Sequence, residues 1–485
     1  MTDFPIHIAE EHSATLAIWW QHRASPKTAV YIDAHLDLQQ ISDAHIHQLK
    51  QCEHRDQLNA LEAPHHLNQS DQYAYGIENF LHAAHELKLI DRLIWVVPPH
   101  IPRNYSQELL AYIQQMDGIG FEEMMRFQPV GENALRGTLL GLDITLCDYS
   151  ALEHLALEQD YYLDIDIDYF VKVPEDQLWV DPAIVIQSII KQLGPPTLAS
   201  ISLAVSSGFT PLSLRFIGDY IESILKQDTS EYQHFQQLIN LHTSLAQNQY
   251  DQAVSLGQQL IESKPNCAAS HFMLSKALSA SNAPVEQTKI AQQRAAELDS
   301  AYIYNLSSEA CGFPNRFKPL SINQLNTLVS RLNELDPADS QYTHIAVAQL
   351  LATHQHLKPA WQIAQNLSPN MQHHPELMLN IAQSLISINQ LHLALPLLET
   401  AAKSIKTRTT AAMLRGDIYF KMGDAKRAQQ QFKLASEYAP AWLLPLEQQL
   451  LCLEVLSDTL AHEKLSSQIE ARKYIMQASL KTHSK

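Results

Sequence analysis

The stretch Leu163-Asp164-Ile165-Asp166-Ile167-Asp168-Tyr169-Phe170 begins as an apolar, β-prone run and then sets a carboxylate at every second residue. Side chains alternate along a strand, so Asp164, Asp166 and Asp168 are expected on one face. An earlier stretch, Tyr31-Ile32-Asp33-Ala34-His35-Leu36-Asp37, repeats the design with Asp33, His35 and Asp37. Carboxylates crowded at a strand end repel one another, and a bound divalent cation is the usual reason to tolerate them. Both stretches read as strand ends that supply a metal site.

Outward from these stretches, β-like runs at 29–33, 92–97, 139–147, 161–167 and 199–205 alternate with helical patterns at 77–88, 105–116 and 182–193. Such alternation predicts an α/β fold, a mostly parallel sheet covered by helices, with ligands at the carboxyl ends of the strands. Gly131, Gly137 and Gly141 punctuate the segment 119–147, which reads as a β-hairpin insertion.

Beyond about residue 228 the β signals stop and helix follows helix. The clearest unit runs from Ala411 through Gly416, Tyr419 and Gly423-Asp424 to Ala428, Phe432, Ala435 and Pro440. Small residues sit where paired helices touch, an aromatic fills the groove, and Gly-Asp makes the turn. This resembles a tetratricopeptide repeat, with a period of about 34 residues. Ala253, Ala291, Ala360, Ala394 and Ala428 fall in register at spacings of 38, 69, 34 and 34, and the widest gap leaves room for a unit near Leu325. The expected division is an α/β domain over 1–228 and an all-α tetratricopeptide solenoid over 229–485, whose concave surface would bind a peptide or a partner helix.

Length and composition agree with two or three domains in 485 residues. The net charge of −18, from 52 acidic and 34 basic residues, disfavours nucleic-acid binding through phosphate neutralisation. The five cysteines are scattered and form no CxxC pair, which argues against a disulfide framework and for a reducing compartment. No basic-then-apolar leader opens the sequence, and runs such as Leu93-Ile94-Trp95-Val96-Val97 are too short to span a bilayer. A cytoplasmic protein with neither membrane nor nucleic-acid partner is expected.

Hard divalent ions such as Mn²⁺ take carboxylates with one or two imidazoles, and two such ions together can activate one water. Asp33, His35 and Asp37 from one strand end and Asp166 and Asp168 from another are the candidate ligands. His12, in Glu10-Glu11-His12-Ser13, would complete six and opens the helical pattern over 13–22.

Asp33-Ala34-His35-Leu36-Asp37 resembles the D-A-H-x-D signature of the arginase/deacetylase (ureohydrolase) superfamily. Glu11-His12-Ser13 is similar to its upstream element, and Asp166-Ile167-Asp168 to its downstream D-x-D. With Ile77-Glu78-Asn79-Phe80, Ile94-Trp95-Val96-Val97-Pro98 and Ser207-Gly208-Phe209-Thr210-Pro211 in the same order, residues 6–220 resemble the peptide-arginase branch. Those enzymes convert arginine side chains in ribosomally made precursor peptides to ornithine, releasing urea.

The resemblance implies a three-layer arginase-like fold and two Mn²⁺ ions. One would be held by His12, Asp33, Asp37 and Asp166, the other by His35, Asp33, Asp166 and Asp168, with Asp33 and Asp166 as bridges. Asp37 or a nearby His would also pass a proton to the leaving amine. The run holds three aspartates, so Asp164/Asp166 stands as the alternative to Asp166/Asp168. Alternation does not choose between them, while the resemblance favours the latter and gives Asp164 a supporting place.

Around the metal residues, Glu78 can face a guanidinium through charge-assisted hydrogen bonds. It equally suits a helix N-terminus. Asn79, Ser207, Gly208, Phe209 and Thr210 are expected to line the substrate pocket. His65 and His66, in a Pro- and Asn-rich loop, read as exposed. The expected function is manganese-dependent hydrolysis of arginine guanidino groups in a peptide or protein, with the repeats docking substrate or partner. The rivals are another C–N hydrolase on this scaffold (a small-guanidine amidinohydrolase or a deacetylase) and a non-catalytic repeat scaffold.

Overall fold

Strands and helices alternate along the first part of the chain, and from Thr229 onward the regular elements are helical. The computed structural model describes residues 4–23, 27–68, 70, 72–99, 110–130, 133–155, 160–172, 176–303, 320–336, 340–367 and 373–483. Its strands are β1 (Ile6–Ala9), β2 (Lys27–Ile32), β3 (Ile90–Val96), β4 (Gln128–Pro129), β5 (Ala134–Leu139), β6 (Leu142–Cys147), β7 (Tyr161–Asp166), β8 (Val171–Lys172), β9 (Gln177–Leu178) and β10 (Leu198–Ser202). β10 lies between β1 and β7, the strands β3, β6, β5 and β4 neighbour one another in that order, and β8 and β9 make a separate pair.

The predicted strands are present, with ends shifted by a few residues, and the predicted 139–147 strand resolves into a hairpin. There β5 runs antiparallel to β6 through Leu140-Gly141, both at positive φ, the two-residue turn whose twist matches its strands. The helix at Pro182–Leu193 matches its sequence signals. Asp181 accepts from the Ala183 amide, Pro182 supplies a preset φ, and Gly194 at φ +79° ends the helix. The short β1 was not read from the sequence. The predicted helix at 77–88 is shorter, Phe80–Glu86; of the one at 105–116, residues 110–113 are helical and 105–109 lie outside the described residues.

Contacts group the chain into two compact units, each drawn from several segments. The first comprises Met1–Ile18, Ile32–Ala34 and Leu157–Pro319, and the second Trp19–Tyr31, His35–Ala156 and Leu320–Lys485. Neither is bounded by residue 228.

In the first unit, β10 runs parallel to both β1 and β7. Every residue of β7 and β10 is buried, including Asp164, Asp166, Ser200 and Ser202. Buried polar side chains need partners, so this polarity marks a site. The unit's helices include the pairs Thr229–Ala246 with Tyr250–Ser263 and Ala268–Ala280 with Val285–Leu298.

In the second unit, β3 pairs parallel with β6, and helix pairs follow from Gln341 to His483. The helix-pair turns carry a periodic mark. Asn248 and Asn282 in the first unit, and Gln355, Asn389, Gly423 and Ser457 in the second, all adopt the left-handed conformation. Successive members of each set are 34 residues apart. This corrects the spacing of 38 between Ala253 and Ala291: the turns keep the 34-residue period, and Ala291 lies about one helical turn beyond the equivalent position.

Ala253, Ala360, Ala394 and Ala428 are fully buried, and Ala291 nearly so. Close helix approach requires this, as Gly416 shows: its missing Cβ is where the Phe432 ring packs. The unit expected near Leu325 is represented by the helix Ile322–Leu332, which buries Leu325, Leu328 and Leu332. No helix among the described residues is long and apolar enough to cross a membrane.

Candidate metal centre

In the first unit, three parallel strands deliver polar residues at their carboxyl ends. After β1 the chain passes Glu10 and Glu11 into a short 3-10 turn, His12–Ala14, that buries His12 completely. The end of β1 is fastened to the segment after β10, because Leu203 and Ala204 donate their amides to the carbonyls of Ala9 and Glu10. Glu10 accepts from the amide and hydroxyl of Ser206, both at 2.9 Å, and pairs with Arg215.

His12 is held from both sides. Nε2 lies 2.7 Å from Asp164 Oδ2, while Nδ1 lies 3.1 Å from Asp33 Oδ2 and 3.2 Å from Asp166 Oδ2. Asp164 Oδ1 accepts from the Thr15 hydroxyl at 3.1 Å and from the Ser200 hydroxyl. The parallel register sets Ser200 beside Asp164 and Ser202 beside Asp166. Thr15 and Ser200 gave no sequence signal, since only the sheet order brings β10 against β7.

Strand alternation does not carry all the aspartates. β7 ends at Asp166, and Ile167–Phe170 is a 3-10 turn whose Asp168 amide donates to Asp166 Oδ1 at 3.0 Å. The turn, rather than a continued strand, places Asp168, and its Oδ1 lies 3.5 Å from the Ala34 amide. β2 likewise ends at Ile32, so Asp33, His35 and Asp37 lie in irregular chain beyond it. The single-face reading of both motifs is corrected on this point: backbone that must converge on one place turns out of the strand.

Among the described residues of the first unit, two groups of side chains offer ligand atoms within 4.8 Å of one another: His12, Asp33 and Asp166, and then Asp33 and Asp168. His35 is two residues from Asp33 along the chain. Asp33 is common to both groups, and Asp164 and Asp37 are in neither. Asp37 is buried, and its backbone carbonyl accepts from the Leu81 amide. Carboxylates with an imidazole, and no thiolate, fit a divalent ion.

The electrostatics explain why a cation suits this place. Burial disfavours a charged His12, yet the charge of Asp164 and hydrogen bonds with Asp164, Asp166 and Asp33 outweigh it and hold the imidazole well above its ordinary range. Asp166 is pushed well up, first by burial and then by Asp168, with His12 opposing.

The segment after β10 carries the expected pocket residues. Gly208 takes φ +82°, Phe209 is half-buried, and Ser207 and Thr210 are each 2% exposed. The hydroxyls of Ser202, Ser207 and Thr210 are buried without a hydrogen-bond partner among the described residues.

Glu78 and Asn79 belong to the second unit. Asn79 Oδ1 accepts from the Gly76 amide at 2.9 Å and closes the turn before helix Phe80–Glu86. Glu78 Oε1 pairs with Lys406, whose ammonium also meets Glu376. Burial raises the Glu78 carboxyl above its usual range while Lys406 opposes the shift. Both residues line a polar cavity of about 280 Å³ with His45, His65, His66 and Lys406. His65 is not an exposed loop residue: its ring stacks on Tyr342 at 4.4 Å, and its Nδ1 accepts from the Leu67 amide at 3.0 Å.

No protein-family model matches the chain, and no curated protein matches it. Among solved structures it is similar to one from a functional characterization of Pseudomonas aeruginosa pilF, at 15% identity over 49% of this chain and 90% of that one, with a TM-score of 0.21. PilW, a widely conserved type IV pilus biogenesis factor, matches at 13% identity over 51% and 98%, with a TM-score of 0.23. Naa15/Naa10 bound to HypK-THB matches at 16% identity over 54% and 41%, with a TM-score of 0.30. Likenesses this low bear on neither the metal centre nor its chemistry.

Proposed function

We propose that this chain is an arginase-type hydrolase with two Mn²⁺ ions, converting arginine side chains of a peptide or protein to ornithine and urea. One observation carries the reading: His12 is clamped at Nε2 by Asp164, which leaves Nδ1 facing Asp33 and Asp166. A ligand imidazole whose other nitrogen is held by a carboxylate is the usual arrangement around a catalytic metal. The quoted motifs and their order supply the substrate class. The helix pairs, with their 34-residue turn period, support a tetratricopeptide-like array that docks the substrate peptide, a ribosomally made precursor in the simplest case, or a protein partner.

Within this reading, His12, Asp33, Asp166, Asp168 and His35 hold the ions, and Asp164 orients His12. Divalent ions there would supply a water acidified to neutral pH and charge stabilisation at the guanidino carbon. Water adds to that carbon, the bond to the side-chain nitrogen breaks, and a proton reaches the departing amine. We assign that transfer to Asp37, buried four residues beyond Asp33. The products, an alkylammonium and urea, account for every atom of guanidinium and water.

The test is to incubate the Mn²⁺-loaded protein with arginine-containing peptides, following urea and the mass loss of one CH₂N₂ per modified residue. The expected result is loss at arginine alone, abolished by Asp33→Asn. Loss of an acetyl group instead, or turnover of free small guanidines with peptides untouched, would replace this reading with one of its rivals.

A further inference from the structure

Ser202 stands out among the buried hydroxyls. It is fully buried at the last position of β10, and its Oγ has no hydrogen-bond partner among the described residues. Ser200 and Ser202 are two residues apart on one strand and so face the same side. Ser200 is in register with Asp164 and donates to its carboxylate; Ser202 is in register with Asp166, one step nearer the candidate ligands. Asp166 does not take up the Ser202 hydroxyl: its Oδ1 accepts from the Asp168 amide and its Oδ2 faces His12. A buried hydroxyl without a partner is costly to a fold, so such a group beside a ligand cluster has its partner in something the cluster holds.

We infer that Ser202 is a positioning residue whose hydroxyl hydrogen-bonds the water occupying the centre beside Asp166. This rests on the proposed metal centre but not on the identity of the substrate. Ser200 completes the contrast, because its hydroxyl is already satisfied within the protein.

The experiment compares Ser202→Ala, Ser202→Thr and Ser200→Ala in the full chain. Without added metal, Ser202→Ala should melt at or above the wild-type temperature, since no protein hydrogen bond is lost, whereas Ser200→Ala should melt lower. By titration calorimetry with Mn²⁺ alone, Ser202→Ala should bind tenfold to a hundredfold more weakly, the usual effect of removing a hydrogen-bond partner of a metal's ligands. Ser202→Thr, which keeps the hydroxyl, should recover most of that affinity.

With peptide substrate, the pH at which turnover rises should move in Ser202→Ala, with kcat falling more than KM rises. The inference is overturned if Ser202→Ala leaves Mn²⁺ affinity unchanged, or if it lowers metal-free stability as Ser200→Ala does. A KM effect with kcat intact would assign the hydroxyl to substrate and overturn it too. Failure of the wild type to act on peptides while these affinity differences persist would count against the hydrolase reading alone.

Discussion

His12 Nε2 and Asp164 Oδ2 stand 2.7 Å apart with both side chains fully buried, and this contact fixes which nitrogen of the ring faces Asp33 and Asp166. The carboxylate that acts on the ring is itself steadied by Thr15 and Ser200. The chain thus spends three buried polar side chains on orienting one imidazole.

Asp164→Asn should keep the fold, since an amide oxygen still accepts from Thr15 and Ser200, but it removes the charge behind His12. The expected outcome is a tenfold to hundredfold loss of Mn²⁺ affinity with little change in ion stoichiometry. Titration calorimetry reads both quantities.

Asp33 is the side chain common to both ligand groups, whereas Asp168 belongs to one. Asp33→Asn should therefore abolish binding of both ions, and Asp168→Ala should leave one per chain. Metal analysis after gel filtration distinguishes them; two ions retained by Asp33→Asn would rule out its bridging role.

Lys406 lies between the carboxylates of Glu78 and Glu376. Lys406→Met leaves two half-buried anions facing one another and should destabilise the protein by about 3 kcal/mol. Adding Glu376→Gln should recover part of that loss, because the removed repulsion and the lost pairing are coupled. Urea unfolding followed by circular dichroism checks both variants.

Burial, with His374 and Lys406 nearby, lowers His65 to about 4. Its neutral ring accepts from Leu67 and stacks between His66 and Tyr342. A histidine with a depressed folded pKa contributes stability that is complete above its unfolded pKa, near 6.5, and is lost as pH falls toward 4. Wild type should lose about 2 kcal/mol relative to His65→Asn across that interval, allowing for partial exposure. Melting temperatures of the two proteins at intervals between pH 7 and 4.5 test this, and parallel curves would contradict it.

The acidic runs, the alternation of strand and helix, and the helical second part were legible because each depends on local patterning. The helix at 182–193 was readable to the residue because its Asp cap, Pro start and Gly stop all lie within it or beside it. The repeat was legible in outline, but its register between Ala253 and Ala291 was not, because a helical turn can slip while the small residue still finds a buried place. β1 escaped notice because four residues at a sheet edge carry too little pattern.

Which aspartate does what is another matter. Asp164, Asp166 and Asp168 are equivalent in the sequence, since each follows an apolar residue at the same spacing. They become different only when β10 lays Ser200 beside Asp164, and when the chain turns out of the strand after Asp166 to deliver Asp168. Sequence by itself determined that carboxylates would be concentrated at strand ends, because alternation and apolar flanks are local properties. Only the tertiary structure decided that Asp164 backs His12 while Asp33 and Asp166 face its other nitrogen, because that choice depends on strand neighbours more than thirty residues away.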